Sequence, residues 1–478
     1  MLFNSLAFAI FLPVVFLLYW AIPHRARWSV LVLSGYYFYM TWNAKYVVLI
    51  FFTTLVSYLA AIFLEKAEEK SKKTILLIAA LTVILGVLFF FKYFNFFNGE
   101  IVQLLQSFAI PLSPVTMKLV LPVGISFYSF QMAGYLADVY RGECSAERHF
   151  GKYAAFVCFF PQMTSGPIAR TKVLMPQINT ERFFDPDKVV YGLKQMAWGF
   201  FKKLVIADSL GAIVDMVYGD LLYYRGFVLL IAAILYTVQI YCDFSGYSDI
   251  AIGIAHLFSI DLMINFKSPY FSASVREFWS RWHISLSTWF RDYLYIPLGG
   301  NRKGKLRGAV NVMITFLASG LWHGASWNFV VWGGIHGMMQ VLENLLFKGK
   351  KTKRTGISWI ISVILVFFFA TFAWIFFRAG TLGDATSIIV HMWDGIGSPL
   401  TYLATGVMDL KIGWWDGICL MLPLALLIVY DYLALTLDPL MEIKKLPKGV
   451  RYLIYYTFLF LFFMLSSFNA KEFVYFQF

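Results

Sequence analysis

The chain has 478 residues, of which 60% are hydrophobic and 14% charged, and its 40 Lys and Arg against 27 Asp and Glu give a formal net charge of +13. Soluble domains carry about a quarter charged residues, and apolar blocks such as 6–22 and 75–91 approach the roughly 20 residues that cross a bilayer as a helix. A soluble fold, a disordered chain, a collagen-like chain and a disulfide scaffold are therefore excluded, and the positive balance points to cytoplasmic loops rather than to nucleic acid.

The hydropathy pattern predicts an all-α polytopic membrane protein with spans near 5–22, 28–43, 46–64, 74–91, 118–137, 187–218, 226–244, 309–326, 327–346, 357–377, 414–434 and 451–468. The first stretch has no basic n-region and no small-residue cleavage site, and reads as a retained span. Basic loops at Arg25/Arg27, Lys66/Lys70/Lys72/Lys73, Lys348/Lys350/Lys351/Lys353/Arg354 and Lys444/Lys445/Lys448/Arg451 are expected on the cytoplasmic side. Both termini then lie outside the cytoplasm. Segments 140–186 and 260–308 mix Pro, Gly, aromatic and charged residues, and such backbone must be buried in protein or line a cavity; re-entrant or interfacial elements and the working site are expected there. No repeat or linker divides the chain, so 1–478 reads as one integral-membrane domain with an extracytoplasmic aromatic tail at 469–478. Cys144, Cys158, Cys242 and Cys419 lie far apart with no CxxC pair, which indicates lone thiols and no metal site.

Soluble-enzyme signatures such as GxSxG and HExxH are absent, and Gly299-Gly300-Asn301-Arg302-Lys303-Gly304-Lys305 fails as a phosphate loop because Leu306 stands where Ser or Thr would hold magnesium. The chemistry-bearing stretch is 276–305, followed by Leu321-Trp322-His323-Gly324. His323 falls inside a predicted span, where a titratable group is a functional hypothesis by default, although an imidazole bonding a neighbouring helix is the alternative. Gly320 and Gly324 either admit a substrate or mark helix packing. His283, beside Trp282, Ser285 and Ser287, would complete a pair suited to proton transfer and orientation near neutral pH. His24, His149, His256 and His391 read as structural, and His336 as intermediate. Arg276, Arg281, Arg291, Arg302, Lys303, Lys305 and Arg307 could anchor the chain at the cytoplasmic face or dock a phosphorylated donor. Asp243 and Asp249 read as partners for basic residues before pore-lining groups.

These stretches together resemble the membrane-bound O-acyltransferase (MBOAT) family in its bacterial alginate and peptidoglycan O-acetyltransferase branch. The resemblance is carried by the first 20 residues, by Phe160-Pro161-Gln162-Met163-Thr164-Ser165-Gly166-Pro167-Ile168, and by the stretches 241–253, 282–304 and 321–337. It implies a ring of about 11–12 transmembrane helices, with re-entrant or interfacial helices, around a central tunnel. It also implies acetyl-CoA as donor, whose phosphates the density of Arg281, Arg291, Arg302, Lys303 and Lys305 suits, and an extracytoplasmic polysaccharide as the eventual acceptor. His323 corresponds to the family's catalytic histidine and His283 to the second histidine of the bacterial branch. The segment Phe473-Val474-Tyr475-Phe476-Gln477-Phe478 could be an interfacial aromatic belt. It also resembles the C-terminal tyrosine motif of related acyl-transfer systems, which would make Tyr475 an acyl acceptor that hands acetyl to an SGNH-type transferase outside the bacterial cytoplasmic membrane. The alternatives are a teichoic acid D-alanyl transferase fed by a carrier protein, a transporter of an acylated intermediate, or a scaffold for an outer transferase.

Overall fold

The computed structural model describes residues 1–346, 355–466 and Phe473; helices account for all its regular secondary structure, with no strand among the described residues. The basic loop 348–354 lies outside the described residues. Among the described residues, six helical stretches are long and apolar enough to cross a bilayer. Contacts divide the chain into two compact units, Met1–Leu193 with Ala251–Met263, and Lys194–Ile250 with Ile264–Phe478.

The first unit holds α1 (Leu6–Ala21), α2 (Arg27–Asn43), α3 (Val47–Lys66), α4 (Lys70–Ser107), α5 (Ile125–Tyr140), α6 (Phe150–Val157), α7 (Phe160–Met163) and α8 (Thr171–Asn179). Its helices are inside-out by soluble standards. Leu6, Leu33, Val48 and Ile75 are exposed while Ser34, Thr53, Thr54 and Ser57 are buried. Small and hydroxyl residues thus pack against protein and large apolar ones face outward, as lipid requires. Ser57 accepts from the Tyr153 hydroxyl at 2.7 Å, and a Cβ on Gly35 would stand 2.0 Å from the Cys158 carbonyl.

The span expected at 118–137 begins instead at Ile125. Pro111, Pro114 and Pro122 break the preceding segment, and Asn95 and Asn98 on the long α4 bond its backbone at Met117 and Val115. Between α5 and α8 the chain breaks into short buried helices. His149 caps α6, its Nδ1 accepting from Lys152 N at 3.2 Å, which is a structural role. Burial pushes the Cys144 thiol in this region up to about 12, in keeping with a lone, unreactive cysteine.

The second unit takes the end of α9 (Pro186–Phe200), a π-helical turn (Phe201–Ala207), α10 (Asp208–Gly219) and most of α11 (Phe227–Leu257), then α12 (Val275–Arg281), α13 (Ile284–Phe290), α14 (Lys305–His323), α15 (Trp327–Leu346) and α16 (Gly356–Arg378). It closes with α17 (Leu382–His391), α18 (Pro399–Asp409), α19 (Trp414–Leu433), α20 (Pro439–Glu442) and α21 (Lys448–Leu465). On α16, Ala370, Ala373, Trp374 and Phe377 are buried whereas Ile357, Ile361, Leu365 and Phe372 are exposed. Both faces are apolar, and only a helix with lipid on one side is built this way. The protein is accordingly a multi-pass membrane protein.

Helices α14 and α15 cross at glycines. A Cβ on Gly320 would lie 2.1 Å from the Phe329 carbonyl and one on Gly333 2.3 Å from the Phe316 carbonyl, while Gly324 is covered by the Phe329 ring at 2.1 Å. Helix packing, rather than space for a substrate, accounts for these glycines. Gly320→Ala forces the two helices apart one turn before His323, and we expect it to cost about 1–3 kcal/mol, as overpacking does. Gly334→Ala, whose Cβ meets only the end of the Leu317 side chain at 3.6 Å, should melt like the native protein. Thermal unfolding in detergent compares the two.

Candidate active site

The loop from α11 to α13 builds the centre of the second unit. Ser274 caps α12 by accepting from Glu277 N at 3.1 Å, and Glu343 of α15 accepts from Val275 N and Arg276 N at 2.7 and 3.0 Å, so the helix N-terminus is satisfied. After Arg281 the chain extends through Trp282 and turns at His283 into a left-handed conformation with φ 43° and ψ 52°. Such a backbone costs of order 1 kcal/mol or more in a residue other than glycine and persists only when its surroundings hold it.

Asn265 does the holding. Its carbonyl accepts from Ile284 N at 2.9 Å, and its Oδ1 accepts from Ser285 N at 3.2 Å and Ser285 Oγ at 2.9 Å. Its Nδ2 donates to Ser248 Oγ of α11 at 3.1 Å, and Lys267 N reaches the Arg281 carbonyl at 3.0 Å. Asn265 is fully buried. We expect Asn265→Ala to lower turnover by about tenfold, the equivalent of one displaced charge-free hydrogen-bond set, and Asn265→Asp to restore little because it lacks the Nδ2 donor. Steady-state rates at matched folded concentration test this.

His283 is buried, with the Phe244 ring edge-on at 4.6 Å. His323, the last residue of α14, is also buried, and its ring lies 5.0 Å from Trp332 and 5.3 Å from Phe377. The two imidazole centroids are 6.2 Å apart. Residues 40 apart in sequence thus face one another inside an aromatic box, close enough for one hydroxyl to meet both rings. His336 lies behind Trp332 at 5.1 Å, and its Nδ1 accepts from Trp279 Nε1 at 3.2 Å. That bond fixes the wall formed by Trp279.

A cavity of about 420 Å³ has Trp279 in its wall and is lined among others by Arg276, Ser287, Arg291, Ser319 and Gln340. This is the size of a small-molecule site. Ser319 stands one helical turn, about 6 Å, before His323 on α14. Of the basic residues singled out from sequence, Arg291 lines the cavity, and so does Arg276, which also meets Asn344. Arg281 instead pairs with Glu277 at 2.6 Å, and Arg302, Lys303 and Lys305 are exposed on the turn before α14 and at its start. Tyr475 lies outside the described residues.

The acidic residues pair with partners the sequence reading passed over. The π-helical turn places Lys202 and Lys203 side by side, Lys203 Nζ at 2.7 Å from Asp243 and 2.9 Å from Asp208. Lys202 Nζ is 2.5 Å from Asp249 and donates to Ser245 Oγ at 2.8 Å. Two lysines inside an apolar span were the signal that could have revealed this network, since charge at such depth is retained only with partners. Among the other histidines, His256 approaches Asp261 at 3.4 Å and His391 lies between Arg225 and Asp394; both roles are structural.

The MBOAT, membrane-bound O-acyltransferase, family profile matches residues 145–380, a stretch that includes Lys203, Asp243, Asn265 and all three site histidines. A probable alginate O-acetylase AlgI of Pseudomonas putida is 39% identical over 82% of this chain and 80% of its own length. The chain belongs to the MBOAT family. A peptidoglycan O-acetyltransferase of Helicobacter pylori is 34% identical over 84% of this chain and 82% of its own. A teichoic acid D-alanyltransferase of Streptococcus thermophilus is 30% identical over 50% of this chain and 60% of its own. This MBOAT protein is therefore a membrane-embedded O-acyltransferase.

Proposed function

We propose that the protein moves acetyl groups from cytoplasmic acetyl-CoA across the bacterial cytoplasmic membrane for O-acetylation of an extracytoplasmic polysaccharide. The observation that carries this reading is the His283–His323 pair, 6.2 Å apart in a buried aromatic box next to a 420 Å³ cavity with two arginines on its wall. The long alignments to alginate and peptidoglycan O-acetylating enzymes, against a partial alignment to the D-alanyl transferase, favour acetyl over D-alanyl.

In this reading the pantetheine arm enters the cavity beside Ser319, and Arg276 and Arg291 meet the phosphates by charge-assisted hydrogen bonds. Arg281, Arg302, Lys303 and Lys305 are then left to ion pairing and to the charge of the cytoplasmic face. His323 takes the proton of the accepting hydroxyl as its oxygen attacks the thioester carbonyl carbon. The C–S bond breaks, the proton passes to the departing thiolate, and an O-acetyl ester and free CoA result. His283, locked by Asn265, orients the reacting group and supports the oxyanion. The accepting hydroxyl is the Tyr475 phenol, which with a pKa of about 10 needs such a base. An SGNH-type transferase on the outer side, where both termini lie, then carries the acetyl group to the polymer.

Tyr475→Phe expressed in place of the native chain tests the relay in cells. The reading predicts that O-acetyl groups disappear from the exported polysaccharide while the protein remains in the membrane. Undiminished acetylation would show that the acetyl group leaves by another acceptor.

A further inference from the structure

The C-terminal segment meets the second unit at one described residue. Phe473 is 1% exposed. Its ring stands edge-on to Tyr247 with centroids 4.9 Å apart, and Lys203 Nζ lies 4.5 Å from its centroid. An ammonium over an aromatic face is attracted by the ring quadrupole, most strongly where water is excluded. Here it is already fixed in place by Asp208 and Asp243. An aromatic residue serving only as an interfacial belt would lie against lipid and water rather than over a buried cation.

We propose that the Lys203 and Tyr247 side chains form a seat for Phe473, which makes Phe473 the positioning residue for Tyr475; the second half of this statement rests on the relay proposed above. Helix α11 explains why a seat at this place matters. Asp243 and Tyr247 are one turn apart and form the stripe that faces Lys203 and Phe473. Phe244 and Ser248 form the neighbouring stripe, about 100° further round. Phe244 packs on His283 at 4.6 Å and Ser248 accepts from Asn265. The seat and the histidine pair are thus adjacent faces of one helical turn. Covalent reach alone confines a residue two positions after Phe473 to within about 7 Å of it.

The test uses the full-length protein in detergent with p-benzoyl-phenylalanine at position 473. On irradiation the crosslink is expected in the peptide that carries Tyr247 or in the one that carries Lys203; crosslinks confined to other segments or to detergent would overturn the seat. In parallel, Phe473→Ala should slow acetyl-adduct formation on Tyr475 about tenfold, the scale of one desolvated cation–π contact, through kcat and with KM for acetyl-CoA unchanged. Phe473→Trp should recover most of the rate. Equal rates in Phe473→Ala and native protein would sink the positioning role of Phe473 and leave the relay standing. A crosslink from position 473 to the Tyr247 peptide, together with a native chain that carries no Tyr475 adduct, would sink the relay and keep the seat.

Discussion

Replacing His323 by alanine is expected to lower acetyl transfer by roughly a thousandfold, within the range that a positioned general base contributes. His323 closes α14 with its ring enclosed by Trp332 and Phe377 and facing His283, the other described imidazole of that box. Water cannot substitute easily, because the aromatic walls exclude it. His323→Gln keeps most of the volume and a hydrogen-bonding end, so it separates chemistry from packing: it should be nearly as inactive as alanine but melt closer to native. His283→Gln should retain more activity than His323→Gln, since orienting a group is worth less than removing its proton. Rates of CoA thiol release and of acetyl incorporation, measured on each variant at matched folded concentration, check the order.

Lys203→Met carries the largest expected effect on stability. Its ammonium is the common partner of Asp208 and Asp243, at 2.9 and 2.7 Å, and all three side chains are buried. Removing one member of such a cluster leaves uncompensated charge in a dry site, which costs about 3–5 kcal/mol. The variant should therefore accumulate poorly, and whatever folds should unfold at a much lower temperature in detergent. Lys202→Met is the comparison. Its partner Asp249 is partly exposed, with 23% of the side chain accessible, so solvent can compensate the loss and the drop should be clearly smaller. Combining Lys203→Met with Asp243→Asn should recover part of the loss, because one stranded carboxylate is neutralised.

Much of the fold is legible because lipid imposes simple rules. The spans read at 327–346 and 357–377 fall on Trp327–Leu346 and Gly356–Arg378, since apolar runs of that length have few other ways to satisfy their backbone. The reading slipped where polar contacts outweigh hydropathy. Residues 118–124 are mostly apolar but are interrupted by Pro122, and the stretch just before them is tied to α4 through Asn95 at Met117 and Asn98 at Val115. The end of α11 runs past the predicted 244 to Leu257, because the polar side chains of Asp243, Ser245, Ser248 and Asp249 are paired with protein groups and so do not end the helix.

At the site, His283 and His323 stood out as titratable groups among aromatics, but their spacing fixed no distance. Asn265 and Lys203 did not stand out. Each draws its meaning from a partner far along the chain, Ser285 for one and Asp243 for the other, and pairing across 20 or 40 residues is set by tertiary packing that no local pattern encodes. The basic cluster was visible as a cluster, yet only the fold separates Arg276 and Arg291, which line the cavity, from Arg281, which does not; both Arg281 and Arg291 also pair with an acid, Glu277 and Asp292.

Peptide-level mass spectrometry of the purified native protein and of His323→Ala, both incubated with isotope-labelled acetyl-CoA, tests the central claim most directly. The account predicts a labelled acetyl group on Tyr475 of the native protein, absent from the variant, with CoA released in step. A labelled Tyr475 in both proteins, or native protein that neither binds acetyl-CoA nor releases CoA from it, would contradict it.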